Sequence, residues 1–344
     1  MPHKPFPNDE SLVYKSECPL CAGSSLADLG TPVSHESTPL HYNRCKRCNL
    51  IFMNPRPDQE WYNHLYQTEF WEVKKEKKNF KGQIKHQVRK EALWAEKFIT
   101  ALKDLGFGEK QRPHVLEIGC AYGLIGKLVA GHFSGLAFGV EPNDAARSFA
   151  ERVTGVQVFA ENMDQVVATA KHDLFDLIIF SHVLENIVEP LAALQAARRL
   201  LKSDGLLLID TPNNFVRRSW HIHHPYCFTR PSLQTLLNRA GFAVKMARSW
   251  SRPKYVVGPN YLTVVAHKEE SPETPSFSAW DMGLRQAVGW LAYSVCQRGS
   301  LGRLNQALAG KAWTPGKDSQ KEIDRILSAK SQDALQKNKG DMRP

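Results

Sequence analysis

From His114 to about Lys268, short apolar runs alternate with helical stretches, and this alternation constrains the fold more than any other feature of the chain. Strand, helix and strand in repetition require crossovers, so the pattern reads as a parallel sheet covered by helices on both faces. The predicted strands are His114–Ile118, Leu136–Val140, Val156–Phe159, Phe175–Phe180 and Leu206–Ile209. Two more β-like runs, Ala243–Arg248 and Tyr261–Ala266, leave no room for a crossover helix between them. They are therefore predicted to pair antiparallel. The expected core is an α/β domain over residues 113–268.

What flanks this core differs in kind. Residues 1–56 hold few large apolar side chains but contain Cys18-Pro-Leu-Cys21 and Cys45-Lys-Arg-Cys48, two knuckles separated by 23 residues. Each knuckle lets two thiolates reach one ion, and two knuckles complete the closed tetrahedral set that structural zinc prefers. The segment therefore reads as a small zinc ribbon in which the metal substitutes for a core. The other three of the seven cysteines, Cys120, Cys227 and Cys296, stand alone, and the odd total argues against a disulfide framework. Residues 57–112 read as a helical connector. Within it Trp61, Tyr62, Leu65 and Tyr66 recur at helical spacing, and Val88, Ala92, Ala95, Phe98 and Leu102 mark a second amphipathic helix. Beyond 268 come a linker and an apolar segment (269–315), then a polar tail (316–344) expected to be mobile.

Val115–Gly123, VLEIGCAYG, is an apolar strand that ends in Glu117-x-Gly119-x-x-x-Gly123 and leads into a helical pattern. Small residues at 119, 121 and 123 let the backbone approach a ligand at the carboxyl end of a first strand. The spacing departs from the dinucleotide fingerprint, because Ala121 and Leu124 stand where glycines belong. Nor is it a P-loop, since Leu128 follows Gly126-Lys127. The next strand ends in Glu141, 22 residues beyond Gly119. A carboxylate there can accept hydrogen bonds from the ribose hydroxyls of an adenosine-containing ligand.

Taken together, this glycine motif, Val140-Glu141-Pro142, FDLIIFSHVLENIVEP and LLKSDGLLLIDTPN resemble the successive motifs of class I methyltransferases that use S-adenosylmethionine (SAM). The resemblance covers about Pro113 to Lys268 and implies a Rossmann-like seven-stranded sheet closed by a C-terminal antiparallel hairpin. It implies a cofactor shell of Glu117, Gly119, Cys120, Ala121, Gly123, Glu141, Pro142, Glu161 and Asn162, with Ser181 and His182 flanking the sulfonium. The chain has Asn186 where the family commonly has histidine. A later segment, His221–Phe242, also resembles these enzymes through His224, Phe228, Thr229, Ser232, Leu233 and Gly241-Phe242. With the cysteine module and Phe52–Pro57 (FMNPRP), the whole is similar to bacterial methyltransferases of sugar and polysaccharide pathways.

The expected reaction is methylation of a hydroxyl on a small-molecule or glycan acceptor, with C-methylation of a deoxysugar next. A nucleic-acid methyltransferase or a zinc-ribbon adaptor with a degenerate SAM domain is the rival. Ser181-His182-Val183-Leu184 stands where base N-methylating enzymes carry a different motif, so nucleic acid is disfavoured. The acceptor proton is assigned to His224, with His182, Glu185 and His223 as alternates, because imidazole titrates near neutrality. Net charge is 45 − 35 = +10, concentrated in Lys74–Lys90, which reads as a solvated basic helix face. Trp280–Cys296 carries a broad apolar stripe read as packing on the domain or a second subunit, with shallow membrane contact as the alternative. The first residues, MPHKPFPNDE, have no apolar core of the kind a secretory signal needs, and the expected compartment is the cytoplasm.

Overall fold

A computed structural model describes residues 12–30, 33–35, 38–69, 80–109, 112–168, 172–214, 220–250, 261–272 and 316–340. Along the chain come β1 (Leu12–Val13), β2 (Leu26–Asp28), β3 (Val33–His35), β4 (Thr38–Leu40), β5 (Tyr42–Cys45), β6 (Ile51–Met53), β7 (Arg56–Pro57), helix α1 (Gln59–His64) and helix α2 (Phe80–Lys103). Next are β8 (His114–Ile118), α3 (Leu124–His132), β9 (Leu136–Val140), α4 (Asp144–Phe149), β10 (Gln157–Ala160) and α5 (Met163–Ala168). After these follow β11 (Phe175–Ser181), α6 (Pro190–Leu200), β12 (Leu201–Pro212), β13 (Tyr226–Cys227), α7 (Arg230–Arg239), β14 (Phe242–Trp250), β15 (Tyr261–Lys268) and α8 (Lys317–Gly340).

Seven of these strands form one mixed sheet, ordered β10-β9-β8-β11-β12-β15-β14. As a parallel sheet with crossovers requires, β8 with β9, β9 with β10, and β11 with β12 are parallel. The last two strands form the expected antiparallel hairpin, and β15 also runs antiparallel to β12. Boundaries shift most at β12, which extends from Leu201 to Pro212 instead of the predicted Leu206–Ile209. Its polar first residues carry no strand signal, but Leu201 pairs with Phe175, and at the far end Thr211 and Pro212 pair with Leu262 and Tyr261.

The chain divides into two units. One draws on residues 66–168 and α8. Its core joins Val88 and Ala92 of α2 to Tyr122, Leu124, Ala146, Phe149, Val153, Ile323 and Ile326. All five apolar positions that predicted the second connector helix, Val88, Ala92, Ala95, Phe98 and Leu102, are buried. The tail departs from its reading as a mobile segment: Lys317–Gly340 is helical, and Ile323 and Ile326 are 0% exposed. Two isoleucines three residues apart form one stripe on a helix and give that stripe a place in the core.

The other unit draws on the residues up to Leu65 and those from 172 to 272. Here the cysteine segment builds a four-stranded sheet, β13-β6-β5-β2. Its edge strand β13 comes from residues 226 and 227, with Tyr226 opposite Phe52 and Cys227 opposite Ile51. Trp280–Cys296 and most of Lys74–Lys90 lie outside the described residues or side chains. Among the described residues, no helix is long and apolar enough to cross a membrane.

Candidate active site

In the first unit the glycine motif closes into a tight turn at the carboxyl end of β8. Gly119, Ala121 and Gly123 take left-handed φ values of 65°, 51° and 72°. At Gly123 a side chain is excluded for a second reason, since a Cβ would stand 2.7 Å from Val156 Cγ2. Helix α3 starts there without a side-chain N-cap. Its exposed first-turn donors are answered from β8 instead: the Gly126 N–H donates to Glu117 Oε2 at 2.8 Å. Burial pushes the Glu117 carboxyl well above the usual range, the Gly126 N–H partly opposes this, and the charges of Glu91 and Glu141 add to the rise. Burial likewise raises the Cys120 thiol, so Cys120 packs as a small neutral group.

Glu141 reaches from the end of β9 to this loop. Its Oε2 accepts the Ala121 N–H at 2.9 Å and its Oε1 accepts the Asn143 N–H at 3.0 Å. Both carboxylate oxygens are thereby tied to backbone N–H groups, one in the glycine loop and one in the turn after β9. Glu141 therefore shapes the glycine loop in addition to the ribose role expected of it. Arg147 ties the neighbourhood together: its guanidinium donates to the Glu141 carbonyl at 2.9 Å and lies 3.3 Å from Glu161. Asn162 accepts the Gln165 N–H at 2.9 Å, in the manner of a helix cap for α5.

The second unit carries the histidines. His182 follows β11 with φ +55°, unusual for a residue with a side chain and costing on the order of 1–3 kcal/mol. Its N–H donates to the Asp210 carbonyl at 2.8 Å. Its ring is set between two buried carboxylates, with Nδ1 3.4 Å from Glu185 Oε1 and Nε2 3.3 Å from Asp210 Oδ2. Both carboxylates are fixed in turn. Glu185 accepts from Thr211 Oγ1 at 3.1 Å, and Asp210 Oδ1 accepts from Thr263 Oγ1 and from Trp250 Nε1. Tyr261 stands edge-on to the His182 ring, with centroids 5.3 Å apart.

Sequence reasoning singled out His182 and Glu185 but not Asp210, Thr211, Trp250, Tyr261 or Thr263. Asp210 had a usable signal: a carboxylate ending a buried apolar strand is the same cue that identified Glu141. His221, His223 and His224 form a separate group, with His221 stacked on His223 at 4.4 Å and 6.0 Å from His224. Just beyond, Thr229 and Ser232 form a reciprocal capping box that starts α7, which is what two of the residues carrying the resemblance do physically.

The four cysteine sulfurs of the second unit lie within 4.8 Å of one another, with Cys18 to Cys48 at 3.6 Å and Cys21 to Cys45 at 3.5 Å. Four thiolates about 2.3 Å from one zinc ion stand roughly 3.8 Å apart at tetrahedral geometry, so the donor set fits that metal. Hydrogen bonds from Cys18 and Cys48 hold Cys45 well below the usual thiol range, while the bond to Cys45 and burial push Cys18 up to about 12.

Residues 84–246 match the family described as methyltransferase domain. The matched segment contains the glycine loop and the strand-end carboxylate Glu141. Among named proteins the chain is similar to the ubiquinone biosynthesis O-methyltransferase of Actinobacillus pleuropneumoniae serotype 7, with 32% identity over 123 residues, 32% of this chain and 49% of that protein. It is also similar to nodulation protein S of Azorhizobium caulinodans, at 31% identity over 132 residues, 37% of this chain and 62% of that protein. The chain thus spans about half the length of the first of these relatives. A solved SAM-dependent methyltransferase from Archaeoglobus fulgidus aligns with 51% of this chain and 94% of its own, at 16% identity and a TM-score of 0.42.

Proposed function

We propose that the chain methylates a hydroxyl oxygen of a small-molecule or glycan acceptor and that its cysteine module holds one structural zinc. The observation that carries the first part is the loop of left-handed residues 119–123 pinned to Glu141, inside the segment that matches the methyltransferase family. The choice of oxygen follows the relative named as an O-methyltransferase.

SAM supplies a methyl group on a sulfonium that is already a good leaving group. With SAM bound, the acceptor oxygen would gain the methyl as the S–CH₃ bond breaks and S-adenosylhomocysteine would be the product released, so the hydroxyl proton would have to pass to a base. What remains for the protein is to align the acceptor and take that proton. Glu141 and the glycine loop position the cofactor; Glu161 and Asn162 flank the adenine side, and Ser181 the sulfonium. For the proton, the cluster of His182 with Glu185 and Asp210 precedes His224, since an imidazole with a carboxylate against each ring nitrogen can take up the acceptor proton as a unit. His224 and His223, on the second histidine group, take acceptor-orienting roles. The proposed compartment is the cytoplasm, where four free thiols remain reduced and available to a metal.

The test combines binding and turnover. SAM or S-adenosylhomocysteine raises the melting temperature and NAD does not; radiolabelled methyl from SAM appears on the oxygen of at least one acceptor in a panel of phenols, catechols and sugars. Binding of NAD in place of SAM, or label found only on nitrogen or carbon, overturns the reading. For the metal, elemental analysis gives one zinc per chain, lost in the Cys18→Ser/Cys45→Ser variant; a content near zero in freshly purified protein refutes it.

A further inference from the structure

The cysteine segment is joined to the histidine segment by a set of bonds that a free-standing metal ribbon has no use for. Tyr42, the first residue of β5, is three positions from Cys45 on the same strand. It is completely buried, and its hydroxyl donates to the His221 carbonyl at 3.1 Å, with the His224 carbonyl at 3.5 Å. Its ring stacks on Trp220 with centroids 5.2 Å apart and planes at 19°. Tyr62 of α1, also buried, donates its hydroxyl to the Ile222 carbonyl at 3.0 Å. From β6 the Met53 N–H donates to the Pro225 carbonyl at 2.9 Å, and the ladder then continues through Tyr226 and Cys227. The Asn49 carbonyl, next to Cys48, accepts from Thr229 Oγ1 at 3.4 Å.

The His221, Ile222 and Pro225 carbonyls are therefore each held by a donor from residues 42–62. The segment's own bonds are a single turn, His224 N–H to the His221 carbonyl at 2.8 Å and His223 N–H to His221 Nδ1 at 3.2 Å, so the outside donors fix where that turn sits. Burial raises both tyrosine hydroxyls well above their ordinary value, which keeps them protonated donors at neutral and mildly alkaline pH. Strands of four and three residues are short even with Tyr42, Ile51, Phe52 and Met53 buried; Cys45 at the end of β5 and Cys48 in the turn before β6 are where a bound metal would fix the β5–β6 hairpin.

We propose that the cysteine module is the scaffold of the histidine segment, with Tyr42 and Tyr62 as positioning residues that set His221, His223 and His224, so that filling the four-cysteine site orders that segment while leaving the glycine loop untouched. This rests on the zinc reading and on the acceptor-facing role of the histidines. Tyr42 and Tyr62 act through the backbone they hold and touch neither acceptor nor cofactor.

The experiment reads the imidazoles directly and needs no acceptor. Full-length protein, as purified and after zinc is withdrawn with a thiol reagent and chelator, is treated with diethyl pyrocarbonate, and modification of His221, His223 and His224 is quantified by peptide mass spectrometry. SAM affinity is measured in parallel by calorimetry, and His114 and His132 serve as internal references. Zinc withdrawal is expected to raise the labelling rate of the three histidines about fivefold or more, the change that loss of one net hydrogen bond gives. SAM affinity and the reference labelling stay within twofold. The Tyr42→Phe/Tyr62→Phe variant keeps both rings and its zinc and removes only the two donors; it shows the same confined rise, and restoring Tyr42 alone recovers part of it. Unchanged labelling in the double variant overturns the clamp, whatever the metal content. A normal clamp phenotype in protein that never contained zinc refutes the metal's part alone, and a rise spread over the reference histidines with loss of SAM binding overturns the proposal by showing general unfolding.

Discussion

Ile323 and Ile326 of α8 are the place where the structure departs furthest from a reading of the sequence, so their removal is the most informative perturbation. Both side chains are 0% exposed and pack in the cluster that holds Tyr122 and Leu124, the residues on either side of Gly123. Truncating one buried isoleucine to alanine costs about 2–5 kcal/mol, through lost transfer energy and the cavity left behind. The two lie three residues apart in one cluster and are not independent, so the double variant Ile323→Ala/Ile326→Ala is expected to lose roughly 4–8 kcal/mol. Against a typical stability of about 5–15 kcal/mol that is a large share. If the helix undocks by itself, the loss stops at its docking energy and the remainder of the unit survives. Calorimetry should show a melting temperature lower by about 8–32 °C, at roughly 2–4 °C per kcal/mol for a domain of this size. Hydrogen exchange should increase in 317–328 and in 121–125 together, and SAM affinity should fall because the loop loses its backing. Lys321→Ala, on the exposed side of the same helix, is the control and should be neutral. A shift below about 2 °C with unchanged exchange at 121–125 refutes the packing argument.

Glu141→Ala removes the acceptor for the Ala121 and Asn143 N–H groups as well as the ribose partner, and SAM affinity by calorimetry should fall at least about tenfold, with Glu141→Gln intermediate; an unchanged affinity refutes both roles. Glu117→Gln tests the buried carboxyl. Because the folded state raises its pKa, Glu117 contributes stability that is fully present below the unfolded value near 4.3 and is lost as pH rises toward the folded one. The stability advantage of the variant should therefore grow with pH from about 4.5 upward, at roughly 1.4 kcal/mol per unit of elevation; equal denaturation midpoints from pH 4 to 8 contradict it. Asp210→Asn should reduce turnover about a hundredfold while leaving SAM affinity unchanged, since it disturbs only what orients His182. Turnover within twofold of the parent shifts the base to His224, for which His224→Ala would then show the larger loss.

The repeating part of the fold and its glycine loop were legible in the sequence because their signals are local. Buried parallel strands are short apolar runs, the loop needs small residues at 119, 121 and 123, and two CxxC knuckles are a local pattern that brings four thiols together. Glu141 was legible for the same reason, as a carboxylate at a strand end a fixed distance from that loop. Tertiary structure alone decided the rest. Tyr226 and Cys227 form a strand only because Phe52 and Ile51 offer an edge, 226 − 52 = 174 and 227 − 51 = 176 positions away, and no two-residue run predicts that. Asp210 becomes part of a site because β12 and β15 lie side by side and bring Thr263 to its carboxylate. Two isoleucines in an otherwise polar tail are too weak a stripe to announce burial, and they gain it from a groove whose other walls, Val88, Phe149 and Val153, lie more than 150 residues earlier. Local sequence specifies which backbone conformations are cheap; which surfaces meet depends on complementary partners far along the chain, and that information is carried by no single segment.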